Sequence, residues 1–231
     1  MKKIGIILTP DSRSKAYLQK IITNNIILDE IIFLNDSHKS KIFSSDEIKQ
    51  SKKYNFDISK SVKDILHENK LKYKEFSFVD INHPELIKYL ENCSIDFFIF
   101  TGGGILKKEI LNLDPKFVHL HPGIVPEYKG STCFYYSMID EGKCGVSAFI
   151  MDEGIDTGSI IYQKEFSVPN HEFIDEVYDS HIRSETLLDV LNKNLLESGD
   201  HITQDPSKGE TYYIIHPVLK HIAILSNISK K

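Results

Sequence analysis

The sequence predicts an α/β protein built on a doubly wound, mostly parallel sheet of Rossmann-like type, with a late antiparallel strand pair and helices on both faces. Three observations carry this expectation. Short apolar runs recur through the first half of the chain, at residues 3–8 (KIGIIL), 30–34 (EIIFL), 75–79 (EFSFV), 95–100 (IDFFIF) and 117–120 (FVHL). They are rich in Ile, Phe and Val, as strands buried on both faces of a parallel sheet must be. Helical patterns separate them, and that alternation needs the crossover connections of an α/β fold. After about residue 145 the pattern changes to two strand-like runs joined by a short turn.

In order along the chain, a helix over residues 14–24 follows the start signal Thr9-Pro10-Asp11-Ser12. Residues 58–69 place Ile58, Val62, Ile65 and Leu66 on one helical stripe, and 83–92 carry Pro84 in a first turn, where its missing N–H costs nothing. The polar, Lys/Ser-rich stretch 37–55 reads as a surface excursion. The runs 145–151 (GVSAFIM) and 158–166 (GSIIYQKEF) predict the antiparallel pair, separated by an acidic, glycine-bearing turn. A long amphipathic helix is expected over 171–197, capped by Asn170, with Phe173, Ile174, Val177, Leu187, Leu188, Leu191 and Leu195 on one face and Gly199-Asp200 as its stop. Residues 211–215 (TYYII) and the HPVLKHIAIL segment predict a closing strand and short helix. The expected division is a main domain over 1–200 and a C-terminal extension over 201–231 packed on it.

The chain has 231 residues, 41% of them apolar, enough to bury a full core without disulfides or metals. Its 28 Lys+Arg against 33 Asp+Glu give a net charge of −5, which argues against a nucleic-acid partner, since a phosphate-backbone reader needs a basic face. Cys93, Cys133 and Cys144 are odd in number and form no C-x-x-C pair, which fits a reducing compartment. The first apolar run stops at Pro10, too short for a signal peptide, and nothing approaches a membrane span. A soluble cytoplasmic protein without a membrane partner is expected.

Two clusters carry the chemistry. In the first, Phe117-Val-His-Leu-His-Pro-Gly-Ile-Val-Pro-Glu-Tyr-Lys-Gly130, His119 and His121 stand two apart at a strand end and so share a face. Ligands of open α/β sheets bind beyond the carboxyl ends of the strands, so two imidazoles there point to a site. A satisfied polar histidine under a loop is the alternative. The second cluster, Met151-Asp-Glu-Gly-Ile-Asp-Thr-Gly158, lacks the ligand spacing of a calcium loop, and alone reads as an acidic hairpin turn.

Taken together, His-Pro-Gly-x-x-Pro-x-x-x-Gly at 121–130 followed by Asp-Glu-Gly-Ile-Asp-Thr-Gly at 152–158 closely resembles the folate-dependent formyltransferase family, whose members act on a ribonucleotide, on methionyl-tRNA or on sugar-nucleotide amines. Thr-Gly-Gly-Gly-Ile-Leu at 101–106 is similar to the family's glycine–Ile–Leu loop after a strand. The resemblance implies N10-formyltetrahydrofolate as formyl donor and a trio of asparagine, histidine and aspartate. His121 matches the histidine, Asp156 the aspartate, and His119 stands where the family has asparagine. It also implies a pterin pocket from the backbone of Gly103, Gly104, Ile105 and Leu106 and from the loop holding Asp152, Gly154 and Ile155.

Formyl transfer needs hydrogen-bond donors aimed at the developing oxyanion and a group that moves a proton from the attacking amine to the folate nitrogen. Asp156 beside His121 is expected to fix its tautomer and favour the imidazolium, while His119 replaces the asparagine amide as a donor to the formyl oxygen and adds pH dependence. The family's tRNA enzyme carries a further C-terminal domain for which this length leaves no room, and its ribonucleotide enzyme holds phosphate with a Gly-x-Gly-Ser-Asn loop that is absent here. By elimination the expected acceptor is an amino-sugar nucleotide or another small primary amine. Candidate acceptor contacts are Ser12 and Arg13 at a helix N-terminus, Gly123 in the His-Pro-Gly turn, and Tyr135 in the following Gly-Ser-Thr-Cys-Phe-Tyr-Tyr segment. His181 and Arg183 beside Asp179 read as solvent-facing, with a phosphate within reach of Arg183 as the alternative. Formyltetrahydrofolate hydrolysis, a non-catalytic module binding folate or a nucleotide sugar, and a metal held by His119, His121 and Asp156 are the competing readings, and a homodimer is the assembly considered.

Overall fold

The computed structural model describes residues 2–35, 41–205 and 207–228. Its elements run β1 (Ile4–Leu8), α1 (Ser12–Thr23), β2 (Glu30–Leu34), α2 (Ser45–Lys53), α3 (Val62–Glu68), β3 (Lys74–Phe76), α4 (Pro84–Leu90), β4 (Phe97–Phe100), α5 (Lys108–Leu111) and β5 (Lys116–His121). They continue with β6 (Tyr128–Gly130), α6 (Cys133–Asp140), β7 (Lys143–Ile150), β8 (Ile160–Ser167), a π-helical turn (Ile174–Tyr178), α7 (Asp179–Asn192), α8 (Leu195–Ser198), β9 (Glu210–Tyr212) and α9 (Pro217–Ile228). The main sheet has the order β3-β2-β1-β4-β5-β7-β8. Strands β1 to β5 pair in parallel, and β7 and β8 add antiparallel to β5. The expected fold class is the observed one.

Side-chain alternation on the strands divides the core. Ile6 and Leu8 of β1 join one cluster with Tyr17, Leu18 and Ile21 of α1 and Ile182 and Leu187 of α7. Ile7, between them, joins Ile32, Leu34, Phe98 and Phe100 against Leu86 and Leu90 of α4. Helices therefore cover both faces, which is why these strands read as unbroken apolar runs. The chain leaves β1 toward β2 and β3 on one side and returns through β4 to β5 on the other, so a crevice opens beyond the carboxyl ends of β1 and β4. Hydroxyls tie those ends together: Thr101 Oγ1 donates to Ile7 O at 3.0 Å and lies 2.6 Å from Ser14 Oγ, which also accepts from Thr9 N.

Three expectations need correction. The helix foreseen over 171–197 is three pieces. A π-helical turn precedes α7, no side chain caps its start, and Asn194 in the left-handed conformation ends α7 before α8. The excursion at 37–55 contains α2, closed by a Ser44–Glu47 capping box, while residues 36–40 lie outside the described residues. Strand β3 ends at Phe76, where 75–79 was expected. The structure also adds a second sheet, in which β9 pairs in parallel with β6, so the segment after residue 200 is stitched to the His-Pro-Gly loop. Among the described residues no helix is long and apolar enough to cross a membrane, and no group of His, Cys, Asp and Glu could hold a metal ion.

Candidate active site

The last residues of β5 carry both histidines. His121 is buried, and its two ring nitrogens each face an acceptor. Nδ1 lies 3.2 Å from Asp156 Oδ2, and Nε2 lies 2.8 Å from the Tyr128 carbonyl. Asp156 Oδ2 also accepts from the backbone N–H of Gly130 at 2.7 Å. Asp156 sits at φ 55, a left-handed conformation that aspartate tolerates better than most residues, and its loop is pinned because Gln204 donates to Asp156 O and Gly158 O. The two residues are far apart in sequence and meet because the β7–β8 turn folds back over the end of β5.

Glycine is required where this loop closes. A Cβ on Gly123 would lie 2.6 Å from Tyr128 O, 2.7 Å from His121 Nε2 and 2.9 Å from Cys133 Cβ. A Cβ on Gly130, at φ +99, would lie 2.2 Å from Tyr212 O in β9. The turn residues thus let the His121–Tyr128 contact form and let the C-terminal strand dock.

A cleft of about 560 Å³ opens beside this pair. The predicted loop residues Gly103, Gly104, Ile105 and Leu106 line one wall, and Asp152, Gly154 and Ile155 line another. Asp152 Oδ1 is already engaged, accepting from Gly154 N at 3.0 Å and Thr157 Oγ1 at 2.8 Å, so this carboxylate shapes the turn. Ile105 and Ile155 are largely exposed, and a Cβ at Gly103 or Gly104 would meet nothing within 4 Å. Open apolar side chains beside bare backbone suit a flat ring with polar edges.

His119 and His121 share the wall, both rings touching Phe149 at centroid distances of 5.9 and 6.4 Å. Nδ1 of His119 is buried without a hydrogen-bond partner. Burial, then the guanidiniums of Arg183 and Arg13 and the neighbouring His121, hold His119 well below the usual imidazole range against an opposing backbone interaction with Phe100. The ring is therefore neutral at neutral pH, and the pH dependence expected from it at this position is removed by its surroundings. For His121, burial also lowers the pKa and outweighs the raising effect of Asp156, contrary to the expected bias toward imidazolium.

The structure does not bring every foreseen acceptor contact to the cleft. Arg13 lines it, but Ser12 is buried against Glu176, to which its hydroxyl donates, and borders a separate groove. Gly123 is enclosed by the turn and acts through His121. Tyr135 is fully buried in the core with its hydroxyl on Asp175, because α6 turns that face inward. Arg183 and His181 are not solvent-facing. Arg183 is buried, its Nε donating to Asp179 Oδ1 at 2.7 Å and its Nη1 to Leu120 O at 2.6 Å, and it lines the cleft. His181 stacks on Tyr54 at 4.1 Å. Ile214, beyond β9, also reaches the cleft. An arginine on a core-facing turn of an otherwise amphipathic helix was the available signal for Arg183; nothing local announced Ile214.

Fold and cleft together define a doubly wound α/β protein with a cleft at the carboxyl edge of its sheet, beside a buried histidine–aspartate pair. The chain belongs to the formyl transferase family, whose model matches residues 33–191. Methionyl-tRNA formyltransferase of Clostridium novyi is 33% identical over 131 residues, 54% of this chain and 42% of that protein, so the aligned part spans less than half of the relative. Among solved structures, an N-formyltransferase from Helicobacter canadensis, in complex with folinic acid and dTDP-3-aminofucose, has a TM-score of 0.61 at 18% identity, covering 92% of this chain and 71% of that one. A 4-N formyltransferase from Francisella tularensis gives 0.60 at 16% identity, covering 97% and 86%. At these identities the structural likeness is one of fold.

Proposed function

We propose that this chain transfers a formyl group from N10-formyltetrahydrofolate to a primary amine of a small molecule, with an amino-sugar nucleotide as the leading acceptor. The single observation that carries the reading is the His121–Asp156 pair, buried at the cleft edge with a proton acceptor on each ring nitrogen. The donor supplies an electrophilic formyl carbon. The residues present fit such a group: Ile105 and Ile155 offer exposed apolar surface, and Gly103 and Gly104 offer uncovered backbone.

With Tyr128 O facing Nε2 and Asp156 Oδ2 facing Nδ1, the neutral ring donates Nε2–H to the carbonyl and keeps Nδ1 free to share a proton with Asp156 during the reaction. Asp156 is the more exposed member, at 16% of its side chain against 2% for His121, so the pair exchanges protons with the cleft through its carboxylate. It takes a proton from the attacking amine, holds it between Oδ2 and Nδ1, and gives it to the departing folate nitrogen, leaving the pair unchanged over a turnover. Gly130 N–H fixes the carboxylate during both transfers. His119, kept neutral, donates to the formyl oxygen in place of an amide.

The sugar-nucleotide reading is supported by the fold likeness to the Helicobacter protein and by the net charge of −5, which disfavours an RNA acceptor. We count residues 1–200 as the catalytic domain and 201–231 as an extension that completes its wall. The test is formyl transfer with labelled donor across a panel of amines, in wild type and His121→Ala. The variant is expected to keep its fold and lose turnover; near-normal turnover in it refutes the assignment, and formate release without any amine would reassign the chain to hydrolysis.

A further inference from the structure

Arg183 stands out among the buried groups not used above. It reaches the cleft from α7, with Asp179 on Nε and Leu120 O on Nη1, and the carbonyl it grips lies between the two histidines of β5. A guanidinium has five N–H donors, and two are committed here, so Nη2 has no partner among the described residues. His119 shows the complementary pattern. Nδ1 is sealed in without a hydrogen-bond partner, whereas Nε2 is not among the sealed atoms, and the ring lines the cleft beside its backbone interaction with Phe100.

We propose that Arg183 and His119 form one donor pair for the formyl oxygen, Arg183 through Nη2 and His119 through an Nε2–H, resting on the formyl-transfer reading given above. As the amine lone pair forms the new C–N bond, the carbonyl π pair moves onto oxygen, which accepts both N–H bonds. Neither donor gives up its proton. When the bond to the folate nitrogen breaks, the electron pair returns to the carbonyl, and proton movement stays with His121 and Asp156. Arg183 has a second, positioning role, since its cation beside His119 adds to burial in keeping that ring from taking a proton. The charged and titratable groups around His119 are Arg183 and Asp179 on α7, Arg13 on α1 with its partner Asp11, and His121 on β5 with Asp156 beyond it.

The experiment combines nitrogen NMR of labelled histidines with kinetics of Arg183→Gln, Arg183→Lys and His119→Asn. In wild type His119 is expected to be the neutral Nε2–H tautomer down to acid pH. Arg183→Gln should raise its titration toward the ordinary imidazole value, while Arg183→Lys, which keeps the cation, should not. Both variants should lower kcat about 100-fold, as for loss of one oxyanion donor, with KM changed only a few-fold. In Arg183→Gln the lost activity should acquire a pH dependence that disappears when His119→Asn is added. An Nδ1–H tautomer, an unmoved His119 titration in Arg183→Gln, or a loss expressed in KM alone overturns the proposal. Should Arg183→Gln unfold, the kcat of Arg183→Lys decides. Failure of the formyl-transfer reading shows separately, as wild-type protein inactive with every amine.

Discussion

Gly123→Ala isolates how the turn after β5 sets His121. The added methyl would lie 2.6 Å from Tyr128 O, 2.7 Å from His121 Nε2 and 2.9 Å from Cys133 Cβ. None of these is the far end of a flexible side chain. The carbonyl belongs to β6, His121 is buried on β5, and Cys133 opens α6, so relief requires moving backbone or the imidazole. Overpacking of this kind costs about 1–3 kcal/mol. If the ring gives way, the buried Nε2 contact to Tyr128 O is lost as well, another roughly 1–3 kcal/mol. Against a typical domain stability of about 5–15 kcal/mol the variant should fold with a lowered midpoint. A displacement of the imidazole near 1 Å should reduce kcat/KM about 100-fold. Urea denaturation and formyl-transfer kinetics measure the two effects. Wild-type midpoint together with wild-type turnover refutes the claim that Gly123 is there to let His121 and Tyr128 close.

Gly103→Val makes the opposite test, because its Cβ meets nothing within 4 Å. Stability should stay within about 0.5 kcal/mol of wild type, typical of surface changes, while KM for the formyl donor rises as the cleft narrows; unchanged donor kinetics would remove this loop from the binding wall. Asp156→Asn keeps a residue tolerant of the left-handed backbone but removes the carboxylate, so the circular dichroism spectrum should hold while kcat falls by about 10²–10⁴. Stability should also depend on pH through the buried histidines. His119, His121, His171 and His181 all have folded-state pKa values below the ordinary 6.5, His181 at about 4. The unfolded chain then binds protons more strongly, so stability is complete above about pH 6.5 and is lost as the pH falls toward the folded-state values. His181 alone accounts for roughly 3 kcal/mol of that loss by pH 4. Denaturation midpoints that stay flat from pH 7 to 4.5 would contradict the burial of these rings.

Much of the site was legible before the chain was folded. The two-residue spacing of His119 and His121 on a strand puts both on one face by geometry alone, and the His-Pro-Gly and Asp-Glu-Gly-Ile-Asp-Thr-Gly motifs named the partner of His121. The walls were legible too, as runs of glycine and isoleucine after β4 and β7. The acceptor contacts fared worse. Tyr135 and Ser12 stand next to the right loops in sequence, but a helix turns successive side chains through 100°, and each was carried into the core or onto Glu176.

Sequence by itself determined the layered α/β fold, because strand period and apolar runs are local properties, and the resemblance of its two motifs to the formyltransferase family pointed to the histidine–aspartate pair. The charge state of that pair was decided only in three dimensions. A carboxylate near a histidine in sequence logic favours the imidazolium, yet burial and the Arg183 guanidinium reverse the balance at His121, as burial with Arg183 and Arg13 does at His119, and these depend on how α1 and α7 pack over the sheet. The docking of β9 on β6, which completes the cleft wall, is likewise a long-range pairing that no local pattern encodes.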